Sequence, residues 1–256
     1  MKKLILFFIL LLFTAQAYAE DVQIATSTYC PLVCQSADGG NEGIMHDVLR
    51  AAFKGSQYNL VFNNIPYGRA IQGAIDGKYA GVTFAGVANA PDFVFVRNLT
   101  MTNSVHFVVL TDNTWNYDGI ESLSAIRVGI PTGFRTGNAK LDAYFDLYER
   151  DASRIMMASN DNPTEAQREN VERLLAKRLD AMLAGSLAFK HISHELGVSD
   201  QIRMDPTPVA LFHNHLAFSP NNPKAKIYRD LVEKKVKEMK ESGELSRIME
   251  RYGLQP

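Results

Sequence analysis

After residue 20, short strand-like runs alternate with stretches of helical spacing along almost the whole chain. Val22–Thr26 reads as a strand, and Gly43–Phe53 repeats apolar residues at helical intervals through Ile44, Val48, Leu49, Ala52 and Phe53. Tyr58–Ile65 alternates as a strand. Arg69–Ile75 is a short helix closed by Gly77, Tyr79–Phe84 is a strand, and Val105–Leu110 is a β-branched run. A polar, turn-rich segment, Thr111–Gly119, follows. The alternation then resumes with strands at Arg127–Ile130 and Leu179–Leu183, and helices at Asn138–Leu147, Ala166–Lys177 and Leu187–Leu196. Pro206 and Pro208 interrupt it, and Val209–Phe218 is a further strand. A charged helix runs from Pro223 to Lys240, Gly243 breaks it, and Glu244–Tyr252 makes a last turn or two.

Strands that alternate with helices imply parallel βαβ units, so the fold class is α/β with mostly parallel sheets flanked by helices. Two crossing segments, near 111–119 and 206–208, suggest two lobes joined by two crossover hinge strands. Residues 20–110 with 208–256 would form the first lobe and 111–207 the second. In open α/β sheets ligands gather beyond the carboxyl ends of the strands, so each lobe would turn its strand-to-helix loops toward a shared cleft.

The chain of 256 residues carries a formal charge of −1 and no basic or acidic tail, which argues against a nucleic-acid partner. Its first nineteen residues differ from the rest. Lys2 and Lys3 precede the apolar run Leu4–Phe13, and Ala17-Tyr18-Ala19 follows, the pattern of a secretory signal cut after Ala19. The run is too short to span a bilayer, which takes about 20 apolar residues. An exported chain points to the periplasm and an oxidising compartment, where Cys30 and Cys34 are expected to pair as a structural disulfide.

Six segments in order resemble those of the periplasmic type II solute-binding proteins, the family 3, polar amino-acid type of ABC transporters. They are Glu42-Gly43-Ile44-Met45-His46-Asp47-Val48, Ala80-Gly81-Val82-Thr83, Pro91-Asp92-Phe93, Arg178-Leu179-Asp180-Ala181, Phe218-Ser219-Pro220-Asn221-Asn222-Pro223 and the closing stretch Met239–Leu254. The resemblance implies the two-lobed periplasmic-binding-protein type II fold. It also implies capture of a small polar or anionic solute by lobe closure, and delivery to an inner-membrane ABC permease. No enzyme activity, cofactor or metal is expected, and a monomer is. Two other functions fit the same fold: a ligand sensor acting on a membrane receptor, and an exported dehydratase-like enzyme. The second would need an acid or base in the cleft.

By the resemblance, Gly81 and Thr83 occupy the first lobe's cleft strand and Tyr67 the place of the aromatic that covers the ligand. Thr83 also reads as an ordinary β residue, and Tyr67 as a turn residue packing on its own lobe. Tyr29 follows the first strand, and Gly86 lies in the loop after Thr83. Arg69 opens a helix, where a cation opposes the helix dipole, so an anion or a surface ion pair is expected beside it. In the second lobe, Thr132, Phe134 and Arg135 lie in the turn where the family holds a polar group at a helix N-terminus. Two departures stand out. The family's amino-acid binders carry a carboxylate-clamping arginine shortly after the strand threonine, but Phe84–Asn89 contains none. They also carry an acidic residue for the α-ammonium where this chain has Gly185. A standard α-amino acid is therefore not the expected ligand. His213 and His215 share a strand face near His106, where solvated histidines are expected rather than a metal site; His191 and His194, at i, i+3 spacing, are expected to be exposed.

Overall fold

The computed structural model describes residues 19–35, 41–88, 90–131, 134–160 and 162–255. The signal-like segment before Ala19, and Thr132, lie outside the described residues. In chain order the elements are β1 (Glu20–Thr26), α1 (Ile44–Phe53), β2 (Tyr58–Asn64), α2 (Tyr67–Ile75), β3 (Gly81–Ala85) and β4 (Val94–Leu110). A 3₁₀ turn (Ile120–Ala125) leads to β5 (Val128–Pro131), α3 (Ala139–Tyr148), β6 (Ile155–Ala158), α4 (Pro163–Leu175), β7 (Ala181–Gly185) and α5 (Ser186–Glu195). The chain ends with β8 (Ile202–Met204), β9 (Ala210–Phe218), α6 (Ala225–Glu241) and α7 (Glu244–Arg251).

These strands join in one mixed sheet of order β2-β1-β3-β9-β4-β7-β5-β6, with β8 paired to β4. The flanks are parallel, β1 with β2 and β3 on one side and β5 with β6 and β7 on the other. The centre is antiparallel, because β9 returns between β3 and β4. Helices cover the sheet, as the alternation requires. α6 turns Ala225, Tyr228, Val232, Val236 and Met239 inward at three- and four-residue spacing, a single apolar face. Each such aliphatic side chain contributes roughly 1.5–3 kcal/mol when fully buried. α1 begins at Gly43 with φ 108°, where a β-carbon would meet the Leu32 carbonyl oxygen at 2.5 Å, so only glycine fits. α4 starts on Asn162, whose side chain accepts from Thr164 N and Glu165 N, with Pro163 as its first residue.

The core divides along the sheet. Val22, Ile24, Leu49, Val232 and Tyr252 belong to one buried cluster, and Phe107, Val128, Ile130, Leu141 and Phe145 to another. Val105, Phe107 and Val109 pack with β5 and β7. β4 runs across the centre of the sheet, and its last residues pair with β7 and β8. The strand also starts earlier than its β-branched part. From Leu99 to Asn103 burial alternates, with Thr100 and Thr102 facing out and Leu99, Met101 and Asn103 facing in.

Candidate functional site

The carboxyl ends of β1 and β2 face the start of α4 across a groove. One cavity of about 520 Å³ is lined by Thr28, Gln35, Asn162, Thr164 and Arg168 among others. A second, of about 510 Å³, shares Thr28, Gln35 and Asn162 and extends past Asn64 to Tyr67. The two form one continuous trough.

Tyr29 follows Thr28, which lines both cavities. Its ring is partly exposed, but its hydroxyl is buried among Asn103, Gln167 and Gly185. Asn103 Nδ2 donates to that hydroxyl at 3.1 Å, and Gln167 also bonds to it. Gln167 Oε1 in turn accepts from Gly185 N at 3.1 Å, and Asn103 Oδ1 from Leu187 N at 3.2 Å. Burial pushes the Tyr29 pKa up, against the opposing hydrogen bonds from Gln167 and Asn103, so the phenol stays neutral. A β-carbon on Gly185 would stand 2.5 Å from the phenol oxygen and 2.8 Å from Asn103 Nδ2. The place of an acidic side chain is thus filled by the chain's own tyrosine.

The other expected site residues are distributed unevenly. Tyr67 lines the trough and stacks on Phe84, with centroids 5.7 Å apart and planes 12° from parallel. Phe84 also meets Tyr29 at 6.4 Å, so three aromatics form one strip. Gly81 serves packing, since a β-carbon there would strike Ala217 O at 2.7 Å. Thr83 is 1 % exposed, and Gly86 is partly buried with its nearest neighbour 3.9 Å from an added β-carbon. Phe134 packs against the cluster of β5 and α3. Arg135 is exposed and paired with Asp146 at 2.6 Å, on the helix that follows it. Arg69 is exposed in the first turn of α2 and makes no ion pair among the described residues.

The histidines separate. His213 and His215 bond to Thr102 and Thr100, their partners across β9 and β4. His106 is buried further along β4, between Asp205 O and Ser104 Oγ. His191, expected at the surface, is 6 % exposed, because its ring contacts Cys30 and the Tyr252 carbonyl. Cys30 and Cys34 form a disulfide in the loop after β1. Cys30 N donates to Thr164 Oγ1 at 3.0 Å, tying that loop to α4. Thr164, Gln167 and Asn103 were not picked out beforehand. The Asn162-Pro163 pair that starts α4 was the available signal for the first two.

The sheet order and groove are those of the type II periplasmic-binding-protein fold. The family model for bacterial extracellular solute-binding proteins, family 3, matches residues 22–255, and the chain belongs to that family. A structure from work on glutathione import via GshT and the cystine ABC importer TcyBC of Streptococcus mutans aligns at TM-score 0.65 and 18 % identity, over 93 % of this chain and 97 % of that one. An amino acid ABC transporter substrate-binding protein of Streptococcus pneumoniae, bound to L-arginine, aligns at TM-score 0.62 and 14 % identity, over 91 % and 94 %. A histidine kinase sensor domain similar to periplasmic binding proteins aligns at TM-score 0.62 and 12 % identity, over 94 % and 100 %. At these identities the likeness concerns the fold. Among curated proteins none matches. No helix among the described residues is long and apolar enough to cross a membrane.

Proposed function

We propose that this chain is a periplasmic, monomeric, non-enzymatic binding protein that captures a small polar or anionic solute and passes it to an ABC permease. Two lobes, 20–110 with 208–256 and 111–207, would close on the solute along the trough, after the signal segment is removed behind Ala19. Membership in a family of solute-binding proteins supports the class. The closed form gains contacts from both lobes, so ligand shifts the population toward it.

The solute is not a standard α-amino acid. The single observation that carries this is the filled space at Gly185, where the phenol oxygen of Tyr29 excludes any side chain. A neutral phenol and two amides offer an α-ammonium no counter-charge, and burying an unpaired ion is costly. Arg69, exposed and without an ion-pair partner among the described residues, is the proposed anchor for an anionic group. Arg135 would have to leave Asp146 to assist. The strip of Tyr29, Phe84 and Tyr67 would cover the apolar part of the ligand.

A thermal-shift panel of the twenty amino acids, dicarboxylates, hydroxy acids and neutral polar solutes tests this. Ligand at 100 times its Kd adds about 2.7 kcal/mol. Stabilisation by acids lacking an amino group, lost in Arg69→Ala, is expected. Micromolar binding of a common amino acid that tolerates loss of both Arg69 and Arg135 would overturn the assignment.

A further inference from the structure

The loop after β1 sets a disulfide sulfur against a buried imidazole. Cys30 Sγ, bonded to Cys34, lies 3.1 Å from His191 Nε2. The other ring nitrogen, Nδ1, faces the Tyr252 carbonyl oxygen at 3.0 Å. A carbonyl only accepts, so Nδ1 carries a hydrogen and Nε2 is the nitrogen free to take up or release a proton beside the sulfur. Glu195 Oε1 stands 3.4 Å from the same Nε2, so a proton arriving there meets a carboxylate.

Access completes the arrangement. Cys30 is buried, whereas Cys34 is partly exposed. Cys30 and Cys34 both line the cavity of about 520 Å³, with Gln35, Asn41 and Asn162 as polar walls. A bridge that only pins a loop requires neither an imidazole on one sulfur nor an open approach to the other. Cys30 and His191 are also 161 residues apart, so tertiary folding, not local sequence, brings them together.

We propose that Cys30–Cys34 is a thiol–disulfide exchange site for small polar thiols, with His191 as its proton carrier. The thiolate of the incoming molecule attacks Cys34 Sγ, the accessible sulfur. A new S–S bond forms to Cys34, the Cys30–Cys34 bond breaks, and its electron pair passes to Cys30 Sγ. The proton that leaves the incoming thiol is taken up on His191 Nε2 and delivered to Cys30, which ends as a thiol. The incoming sulfur is oxidised and the Cys30 sulfur reduced, so no further oxidant or reductant enters. Exchange is faster when the leaving thiol is the more acidic one, and the imidazole confers that advantage on Cys30 alone.

The test uses the oxidised full chain with reduced glutathione as the probe thiol. The reaction is quenched in acid, trapped with a maleimide and mapped by peptide mass spectrometry. Glutathione on Cys34 and maleimide on Cys30 are expected, with the rate reduced about tenfold or more in His191→Phe. Equal labelling of the two sulfurs, glutathione on Cys30, an unchanged rate in His191→Phe, or no exchange while an unhindered control disulfide reacts would each overturn the proposal. Since His191→Phe also loses the Tyr252 contact, Cys34→Ser gives an independent reading. The alkylation rate of its free Cys30 should rise with a midpoint below the ~8.5 of an ordinary cysteine, and a midpoint at or above that value would overturn the proposal as well.

Discussion

The phenol oxygen of Tyr29 occupies the space that a side chain on Gly185 would need, 2.5 Å from the position of its β-carbon. One residue lies in the loop after β1 and the other ends β7, so the contact joins the two flanks of the sheet. Tyr29 packs against apolar clusters on both flanks, which makes it a strut between them.

Gly185→Ala should therefore be overpacked. The expected loss is about 1–3 kcal/mol, read as a fall in Tm of roughly 2–4 °C per kcal/mol by calorimetry. Tyr29→Phe removes the oxygen that clashes, so the double variant should lose less than the sum of the two single variants. Strict additivity would show that the two groups are not in contact.

His46 is expected to contribute to the acid sensitivity of the fold. It is 8 % exposed, stacks on Phe62 at 4.0 Å, and neither ring nitrogen finds a hydrogen-bond partner among the described residues. Burial, aided by Arg50 and opposed by Glu42, pushes its pKa down to about 4 from 6.5. The folded chain holds the neutral ring, while the unfolded chain takes up a proton below about pH 6.5. Stability from this residue is thus complete above pH 6.5 and lost as pH falls from 6.5 toward 4, by up to about 3 kcal/mol. Urea unfolding of His46→Phe should show a flatter pH dependence across that window, with no change in slope above it.

Tyr252 fastens the end of the chain to the start of α1. Its hydroxyl accepts from Gly43 N at 2.8 Å and donates to Asp47 Oδ2 at 3.0 Å. Burial foremost, and the Asp47 carboxylate next, push its pKa up, so it remains a donor at any ordinary pH. Tyr252→Phe leaves a buried backbone N–H unpaired and should cost about 1–3 kcal/mol in denaturant unfolding. Loss of only a few tenths would mean that water replaces the bond.

Asn162 caps α4 through Thr164 N and Glu165 N, and α4 carries Thr164 to the trough and Gln167 to Gly185 N. Asn162→Ala should cost about 1 kcal/mol. Hydrogen exchange should quicken first at Thr164 and Glu165, while protection at β1 is unchanged.

Much of the element order was legible because helical spacing is strong in α1, α4 and α6 and because a β-branched run marks the end of β4. β6 and β8 escaped, since four and three residues carry no measurable period. The first part of β4 escaped because Asn98, Thr100, Thr102 and Asn103 read as loop residues, although Thr100 and Thr102 lie on the exposed face of a strand and Asn103 on its buried face. In the site, Tyr29 could be singled out from its place after the first strand, and Tyr67 and Gly185 from the resemblance to the family. Their partners could not. Thr164 lies 134 residues from Cys30, and Asn103 lies 74 from Tyr29, distances at which local pattern carries no information. His191 failed for the same reason, because what buries it comes from the first loop and the last residues.

The central position of β9 sets a rule for how the molecule comes into being. Residues 210–218 supply the strand that fills the gap between β3 and β4, and α6 and α7 then close the apolar face of α1. A nascent chain short of residue 210 holds two half-sheets with an unfilled slot and an unroofed core. Ribosome-bound or truncated forms should stay protease-sensitive until almost the whole polypeptide is available, and maturation would then proceed in one late step rather than lobe by lobe.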